Sequence, residues 1–153
     1  MDSSMIYFLR HAHRDTHDPS ADNGLSEKGW EQCDDLARYF KKKVERIDEA
    51  RSSPKVRCMQ TTESVAKAYK LKVREDWSLH ESAGDSDRDF RDRIVKLLEK
   101  LQSEKKTLLL GTHGDVLDVI LRWGAQKGEI HKGDLLIWDP CDNSWILNPL
   151  RGH

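Results

Sequence analysis

The sequence predicts an α/β protein built as a three-layer α/β/α sandwich, with a mainly parallel central sheet and a C-terminal hairpin. Two observations carry this prediction. Residues 6–9 and 108–110 are short, continuously apolar runs, as expected of parallel strands that are covered on both faces. Between such runs, apolar residues recur at steps of three and four, which is typical of a helix with one buried face. Strands that alternate with helices favour a layered α/β domain.

The first half of the chain contains three predicted strands and two predicted helices. The strands lie at residues 6–9, near 47–51 and at 71–74. Ser26 is a good N-cap for the first helix. The apolar stripe of that helix consists of Cys33, Leu36, Ala37, Phe40, Val44 and Ile47. Pro54 suits the first position of a second helix capped by Ser53, because the missing N–H of proline would be unpaired there. This second helix is expected to run to about Tyr69.

The second half of the chain predicts two further helices, a buried strand and a hairpin. The third helix is marked by Phe90, Ile94, Leu97, Leu98 and Leu101. Residues 107–112 form the buried strand, and the helix after it ends at Gly124. The apolar face of this fourth helix consists of Val116, Leu117, Ile120 and Leu121. Residues 135–138 and 145–147 flank a turn at 140–143, which predicts two hairpin strands.

Length and composition narrow the class of protein. A chain of 153 residues fits a single domain, residues 1–153, better than two. Its 26 basic and 27 acidic residues give a net charge of -1, so no overall field favours nucleic acid or an anionic membrane as partner. No segment resembles a secretory signal or a membrane span. Cys33, Cys58 and Cys141 are odd in number and far apart, which favours reduced thiols and a cytoplasmic protein.

Polar clusters follow three of the predicted strands, at the edge where an open α/β sheet binds its ligands. Residues 10–14 read Arg-His-Ala-His-Arg, residues 52–57 read Ser-Ser-Pro-Lys-Val-Arg, and His113 follows the strand at 107–112. These clusters bring arginines, histidines and helix N-termini to one point. Guanidinium groups and free backbone N–H groups suit the oxygens of a dianionic phosphoryl group.

Five sequence blocks resemble, in order, those of the histidine phosphatase (phosphoglycerate mutase-like) superfamily. Leu9-Arg10-His11-Ala12 resembles its Arg-His-Gly signature, and residues 25–32 resemble its Leu-Ser/Thr-x-x-Gly-x-x-Gln helix start. Residues 52–61 resemble Ser-Ser-Pro-x-x-Arg-x-x-Gln-Thr, residues 79–81 the Leu-x-Glu element, and His113-Gly114 the second histidine block. One Arg-His pair would mean little. Five ordered blocks make the chain similar to the small phosphatase branch of this superfamily.

This resemblance implies a metal-independent phosphatase that needs no cofactor and acts on a phosphorylated small molecule or a phosphoprotein, phosphohistidine included. It implies that His11 is the nucleophile, which becomes transiently phosphorylated, and that Glu81 is the general acid. The phosphoryl oxygens would be held by Arg10, Arg14, Arg57 and His113. Physical chemistry agrees with these roles, since a neutral imidazole is a competent nucleophile and phosphoryl transfer mainly needs positioning and positive charge.

The chain departs from the family pattern in ways that weaken a mutase assignment. Ala12 stands where the signature has Gly, and His13 and Arg14 stand where mutases carry a Glu-Ser-like stretch. The chain is also too short for the large substrate cap of a mutase. These differences favour a phosphatase over a phosphoglycerate mutase-like phosphotransferase. They also predict an open mouth with residues 13–24 and 82–89 as its rim.

Two further classes of function stay open. His11, His13, Asp15 and His17 nearly match the His-x-His-x-Asp-His run of binuclear metallo-hydrolases, but Thr16 breaks the spacing. Interleaved arginines would also repel a dication, so no metal site is predicted. The other class is a phospho-binding module without turnover. Such a module needs only the cations, whereas this chain also carries a histidine and a carboxylate suited to catalysis.

Overall fold

The computed structural model describes residues 4–150 of the chain; residues 1–3 and 151–153 lie outside this range. The strands are β1 (Ile6–Arg10), β2 (Glu49–Ser52), β3 (Val73–Glu75), β4 (Leu108–Thr112), β5 (Leu135–Asp139) and β6 (Ser144–Leu147). The α-helices are α1 (Glu27–Lys43), α2 (Val56–Ala66), α3 (Asp87–Glu104) and α4 (Gly114–Trp123). Short 3₁₀ turns occupy Lys67–Tyr69 and Trp77–Leu79. Among residues 4–150, no helix is long and apolar enough to cross a bilayer.

The strands form one mixed sheet in the order β3-β2-β4-β1-β5-β6. Neighbouring strands are parallel from β3 across to β1, and β5 and β6 close the sheet as an antiparallel hairpin beside β1. Both the mainly parallel sheet and the C-terminal hairpin predicted from the sequence are therefore confirmed. Since the four parallel strands all end at the same edge, the segments that follow them meet there.

Helices cover both faces of the sheet, because alternate strand residues point to opposite sides. Tyr7 and Leu9 of β1 pack in one apolar cluster with residues of α1 and α2. Ile6 and Phe8 pack in a second cluster, with residues of α3 and α4. The three-layer sandwich is thus confirmed.

The starts of the first two helices differ in how well the sequence predicted them. Ser26 caps α1 as expected, and its hydroxyl accepts a hydrogen bond from the backbone N–H of Gly29 at 3.1 Å. The prediction that Ser53 caps α2 with Pro54 as the first helical residue is wrong, because Lys55 is the N-cap and the helix begins at Val56. The Ser53 hydroxyl is directed into the candidate active site.

Candidate active site

The segments after the four parallel strands place their polar side chains together at one edge of the sheet. His11 follows β1, Ser53 follows β2, and His113 follows β4. Glu81 lies on the segment after β3, beyond the 3₁₀ turn. Of the six residues predicted for the site, His11, Arg57, Glu81 and His113 contact one another through direct pairs.

His11 is held with one ring nitrogen free for chemistry. Its Nδ1 lies 2.9 Å from the carbonyl oxygen of Ala12, which can only accept a hydrogen bond. The proton therefore sits on Nδ1, and the lone pair of Nε2 faces the Nε–H of Arg57 at 3.4 Å. The side chain is 7% exposed. Burial lowers the pKa of His11 to about 4, and the positive charges of Arg57 and Arg10 act in the same direction, against the hydrogen bond to Ala12.

His113 lies beside His11, with the ring centroids 5.5 Å apart. Its Nε2 is 2.8 Å from the Ser53 hydroxyl, and its Nδ1 is 3.5 Å from Oε1 of Glu81. Because a carboxylate only accepts, this arrangement assigns the proton to Nδ1 and lets Ser53 donate to Nε2. Burial, followed by the charges of His11 and Arg57, lowers the pKa of His113 to about 2. The ring is therefore neutral, with its Nδ1 beside the carboxylate of Glu81.

Arg57 connects the candidate nucleophile to the candidate acid. Its Nη2 donates to both carboxylate oxygens of Glu81, at 3.0 and 3.1 Å, while its Nε faces His11. Arg57 is buried, whereas the Glu81 side chain is about a third exposed. A buried guanidinium keeps nearly its full attraction for an anion. A phosphoryl group that enters the pocket would therefore compete with Glu81 for Arg57.

Arg10 contributes a second guanidinium from the end of β1. Its Nη1 donates to the carbonyl of Ile130 at 2.8 Å, and its Nε is buried without a hydrogen-bond partner within residues 4–150. The guanidinium packs on the backbone of Gly114, where an added Cβ would lie 2.8 Å from Cζ. A larger residue after His113 would therefore displace the Arg10 guanidinium from its present position. An unpaired buried N–H is costly unless a ligand supplies the acceptor.

Arg14 is the one predicted phosphoryl ligand that the structure places away from this cluster. Its guanidinium donates to the carbonyl oxygens of Ala21 at 3.3 Å and Pro19 at 3.2 Å, and so braces the rim loop at residues 13–24. Direct contact of Arg14 with a phosphoryl group stays a prediction.

The motif residues around His11 fix the backbone that carries it. Thr61 of α2 accepts the backbone N–H of Ala12 at 2.9 Å, and Gln32 of α1 accepts that of His13 at 2.8 Å. An added Cβ at Gly29 would collide with the backbone carbonyl of His13, so α1 approaches this loop closely only with glycine there. Two helices thus hold the loop after β1 through side chains spaced as the sequence blocks require.

Asp22 brings a negative charge from the rim loop to the pocket. Its Oδ1 accepts the backbone N–H of Val56 at 3.0 Å and lies 4.0 Å from Nη1 of Arg57. It therefore occupies the N-terminus of α2, a position that suits an anion. Two carboxylates, from Asp22 and Glu81, balance the guanidinium of Arg57 in the empty pocket.

We expect Asp22→Asn to strengthen oxyanion binding. Asparagine keeps an acceptor for the N–H of Val56 but removes a charge that repels the oxyanion. Competitive inhibition by phosphate or vanadate should improve about two- to fivefold, the size of one partly screened charge interaction. Asp18→Asn is the control, because Asp18 lies in the same loop and bonds only to loop residues. Unchanged or weaker inhibition in Asp22→Asn would contradict this arrangement.

The segment before Glu81 is held by an arginine that sequence reasoning missed. Arg93 of α3 donates from Nη1 to the carbonyl oxygens of Ser78 at 2.8 Å and His80 at 2.9 Å. Its Nη2 lies 3.3 Å from the carboxylate of Asp85. Its Nη2 also lies 3.5 Å from the carbonyl oxygen of Glu81, so Arg93 holds the backbone that carries this residue. No local pattern singles it out, because it lies among many charged residues of an amphipathic helix.

Cys58 and His80 were also missed as neighbours of the site, and Ser53 was placed at this edge from the sequence but only as a helix cap. The thiol of Cys58 lies 3.4 Å from Nε2 of His113, and burial raises its pKa to about 12, so it is an inert packing group. The imidazole of His80 faces that of His113 at a centroid distance of 5.8 Å. In the sequence, the feature that points to these three residues is their position within the blocks at residues 52–61 and 79–81.

The histidines of the metallo-hydrolase alternative do not converge. His13 points its Nδ1 at the Ser26 hydroxyl, 2.7 Å away, and His17 lies in the exposed loop. Among residues 4–150, no group of three or more His, Cys, Asp or Glu side chains is arranged to hold a metal ion.

Fold and site together describe an α/β protein with a cationic, histidine-containing pocket at the carboxyl edge of its sheet. The sequence model of the histidine phosphatase superfamily (branch 1) matches residues 6–87. This match covers more than half of the chain, and the protein belongs to that superfamily. No curated protein sequence is significantly similar to the chain.

Solved structures share the whole fold at low sequence identity. A mutant phosphoserine phosphatase from Entamoeba histolytica, in complex with phosphoserine, is 17% identical, with a TM-score of 0.76, and 97% of this chain and 98% of that chain are covered. The candidate phosphohistidine phosphatase SixA from Agrobacterium tumefaciens is 21% identical, with a TM-score of 0.75 and 95% of each chain covered. A mycobacterial glucosyl-3-phosphoglycerate phosphatase in complex with VO3 is 19% identical, with a TM-score of 0.69 and coverages of 95% and 97%.

The low pKa values of the two site histidines predict an NMR result. In the free protein, the imidazole resonances of His11 and His113 should not titrate between about pH 5.5 and 8, whereas in the urea-unfolded chain they should titrate near the ordinary 6.5. The unfolded chain binds these protons first, so both residues make the folded state less stable as the pH falls from about 6.5 toward 4. A normal titration of His11 in the folded protein would contradict the buried, neutral imidazole.

Proposed function

We propose that this protein is a phosphatase that hydrolyses phosphomonoesters, or a phosphorylated protein side chain, through a phosphohistidine formed on His11. The observation that carries the proposal is the state of the His11 ring. Its Nδ1–H is fixed on the carbonyl of Ala12, and its pKa is low, so Nε2 carries no proton at neutral pH and its lone pair accepts only the long 3.4 Å hydrogen bond from Arg57. That lone pair faces a pocket with two buried or half-buried guanidinium groups.

The phosphoryl group would bind where Arg57 now pairs with Glu81. Arg57 exchanges its carboxylate partners for phosphoryl oxygens, and the unpaired Nε–H of Arg10 gains an acceptor. His113, whose Nε2 is held by the Ser53 hydroxyl, offers its Nδ1–H to a third oxygen. These donors are in place before the substrate arrives, so the charge of the transition state is stabilised without rearrangement of the protein backbone.

In the first step, Nε2 of His11 forms a bond to phosphorus while the bond from phosphorus to the leaving oxygen breaks. Glu81, displaced from Arg57, takes up the proton that a monoanionic substrate or solvent supplies and gives it to the leaving oxygen. In the second step, water attacks the phosphohistidine, Glu81 takes a proton from the water, and His11 leaves as a neutral ring. Glu81 then returns its proton to the departing phosphate or to solvent, and the site regains its starting charges.

The substrate is a phosphate ester or phosphoramidate whose leaving group fits the open rim. Similar structures carry the names of phosphatases for phosphoserine, phosphohistidine and glucosyl-3-phosphoglycerate. Leaving groups of quite different size are thus compatible with this fold. A phosphoglycerate mutase-like transfer would instead require the phosphoryl group to pass from His11 to a second organic acceptor.

Hydrolysis should need no divalent metal. The site supplies positive charge from Arg10 and Arg57, and its two carboxylates, Asp22 and Glu81, both pair with Arg57. We expect the purified protein to hydrolyse p-nitrophenyl phosphate at an unchanged rate after treatment with EDTA, and to be inhibited competitively by vanadate. Activity lost with EDTA and restored by a divalent ion would overturn this proposal. Tight phosphate binding without turnover would instead favour the non-catalytic binding module.

A further inference from the structure

A row of four rings runs from the candidate nucleophile to the protein surface. The ring centroids of His11 and His113 are 5.5 Å apart, those of His113 and His80 are 5.8 Å apart, and those of His80 and Trp77 are 5.2 Å apart. The inner rings are buried, with 7% of His11 and 2% of His113 exposed, whereas 66% of Trp77 is exposed. The row therefore links the phosphoryl pocket to an indole in solvent.

The exposed indole is carried by a well-fixed backbone. Trp77 opens the 3₁₀ turn, which Asp76 caps by accepting the backbone N–H of Ser78 at 3.0 Å. Leu79 anchors the turn in the core, and Arg93 of α3 lies 3.4 Å from the carbonyl oxygen of Trp77. A ring on such a turn loses little conformational freedom when a ligand stacks on it.

The outer end of the row lies on the leaving-group side of the pocket. Glu81, the proposed proton donor to the leaving oxygen, follows His80 directly in the chain and contacts His113. The Glu81 carboxylate and the His80 imidazole thus both lie against the ring of His113, so a leaving group that receives its proton from Glu81 would lie near His80. The next ring outward is Trp77, which lies at a tilt of 30° to the imidazole of His80.

We propose that Trp77, supported by His80, is the binding face for a planar ring on the leaving group, so that the preferred substrates are monophosphates carrying an aromatic or heteroaromatic ring. This inference rests on the proposed phosphatase function and names its substrate class. A stacked aromatic pair contributes enough to raise the affinity about three- to tenfold. Tryptophan presents the largest such face and keeps it partly exposed at low entropic cost.

The exposure of Trp77 is not by itself evidence for a binding face, because single apolar side chains are common on protein surfaces. Ile146 of the edge strand β6 is 52% exposed. Its strand belongs to the hairpin on the far side of β1, and no ring row leads from it to the pocket. Trp77 differs from Ile146 because the row of rings connects it to His113, which lies beside Glu81. Ile146 therefore serves as a matched control.

Calorimetric titration with three inert phosphonates tests the inference without any need for turnover. 4-Phenylbutylphosphonate carries a planar ring on a chain that can extend past His80, 4-cyclohexylbutylphosphonate carries a saturated ring on the same chain, and butylphosphonate carries no ring. The wild-type protein and Ile146→Ala should bind 4-phenylbutylphosphonate about three- to tenfold more tightly than either other ligand. Trp77→Ala should reduce this preference to within about twofold, and Trp77→Phe should retain most of it. Butylphosphonate should bind all four proteins equally.

Each other outcome overturns the inference in a distinguishable way. A preference for the phenyl ring that survives in Trp77→Ala places the ring elsewhere and leaves the phosphatase proposal intact. No such preference in the wild type means that Trp77 serves another surface, such as contact with a second copy of the chain. Failure of every phosphonate to bind contradicts the phosphoryl pocket itself, and with it both proposals.

Discussion

Replacing His11 by alanine is expected to reduce the turnover of any phosphomonoester by at least about three orders of magnitude, because the attacking atom is lost. Oxyanion binding should persist, since Arg57, Arg10 and His113 remain. The loss should therefore appear in kcat and leave the dissociation constant for phosphate within about a few-fold of the wild-type value. Steady-state kinetics with p-nitrophenyl phosphate measures the turnover, and calorimetric titration with phosphate measures the binding.

His17→Ala is the matched control, because His17 lies in the exposed rim loop and is bonded to Asp15 through its backbone N–H, which alanine keeps. It should keep wild-type turnover. Substantial activity in His11→Ala would show that another group, or water itself, attacks phosphorus. The thiol of Cys58 also lies beside His113, but it is buried with a raised pKa, so thiol alkylation should spare activity.

Replacing Glu81 by glutamine should separate substrates by their leaving groups. An alkyl alcohol leaves poorly without a proton, so turnover of an alkyl phosphate should fall about 10²- to 10⁴-fold. p-Nitrophenolate leaves as a stable anion, so turnover of p-nitrophenyl phosphate should fall far less. The ratio of the two kcat/KM values, measured in both proteins, gives the result directly.

Asp85→Asn provides the comparison for Glu81, because Asp85 is a neighbouring acidic residue held by the same Arg93. This substitution should lower the kcat/KM values for the alkyl and the aryl phosphate equally and only slightly. Equal losses on alkyl and aryl phosphates in Glu81→Gln would assign the proton transfer to another acid. A selective loss in Asp85→Asn would identify that acid as Asp85.

The fold was largely predictable because its periodic patterns are strong. The run at residues 108–110 is apolar throughout and becomes β4, the strand between β2 and β1, buried on both faces. The hydrophobic steps along α1, α3 and α4 correspond to their buried faces. The start of α2 was mispredicted because the preference of proline for a first helical turn is local, whereas the contact of Ser53 with His113 joins residues 60 positions apart.

Much of the candidate site could also be predicted, because strand ends converge in any parallel sheet. His11, Arg57 and His113 were placed at those ends from the sequence, and the structure brings them together. The contributions of Asp22 and Arg93 could not be predicted. They depend on the path of the rim loop and on which helix face meets the segment before Glu81. Neither of these two features corresponds to a periodic pattern or a residue spacing in the sequence.

Rapid chemical quench with a ³²P-labelled substrate tests the central claim most directly. The account predicts a label on the protein during turnover that is labile in acid, stable in base, located on the peptide containing His11 and absent from His11→Ala. The label should pass to water without any phosphorylated cofactor, unlike that of a mutase. A label that is stable in acid, or that persists in His11→Ala, would contradict the proposed mechanism.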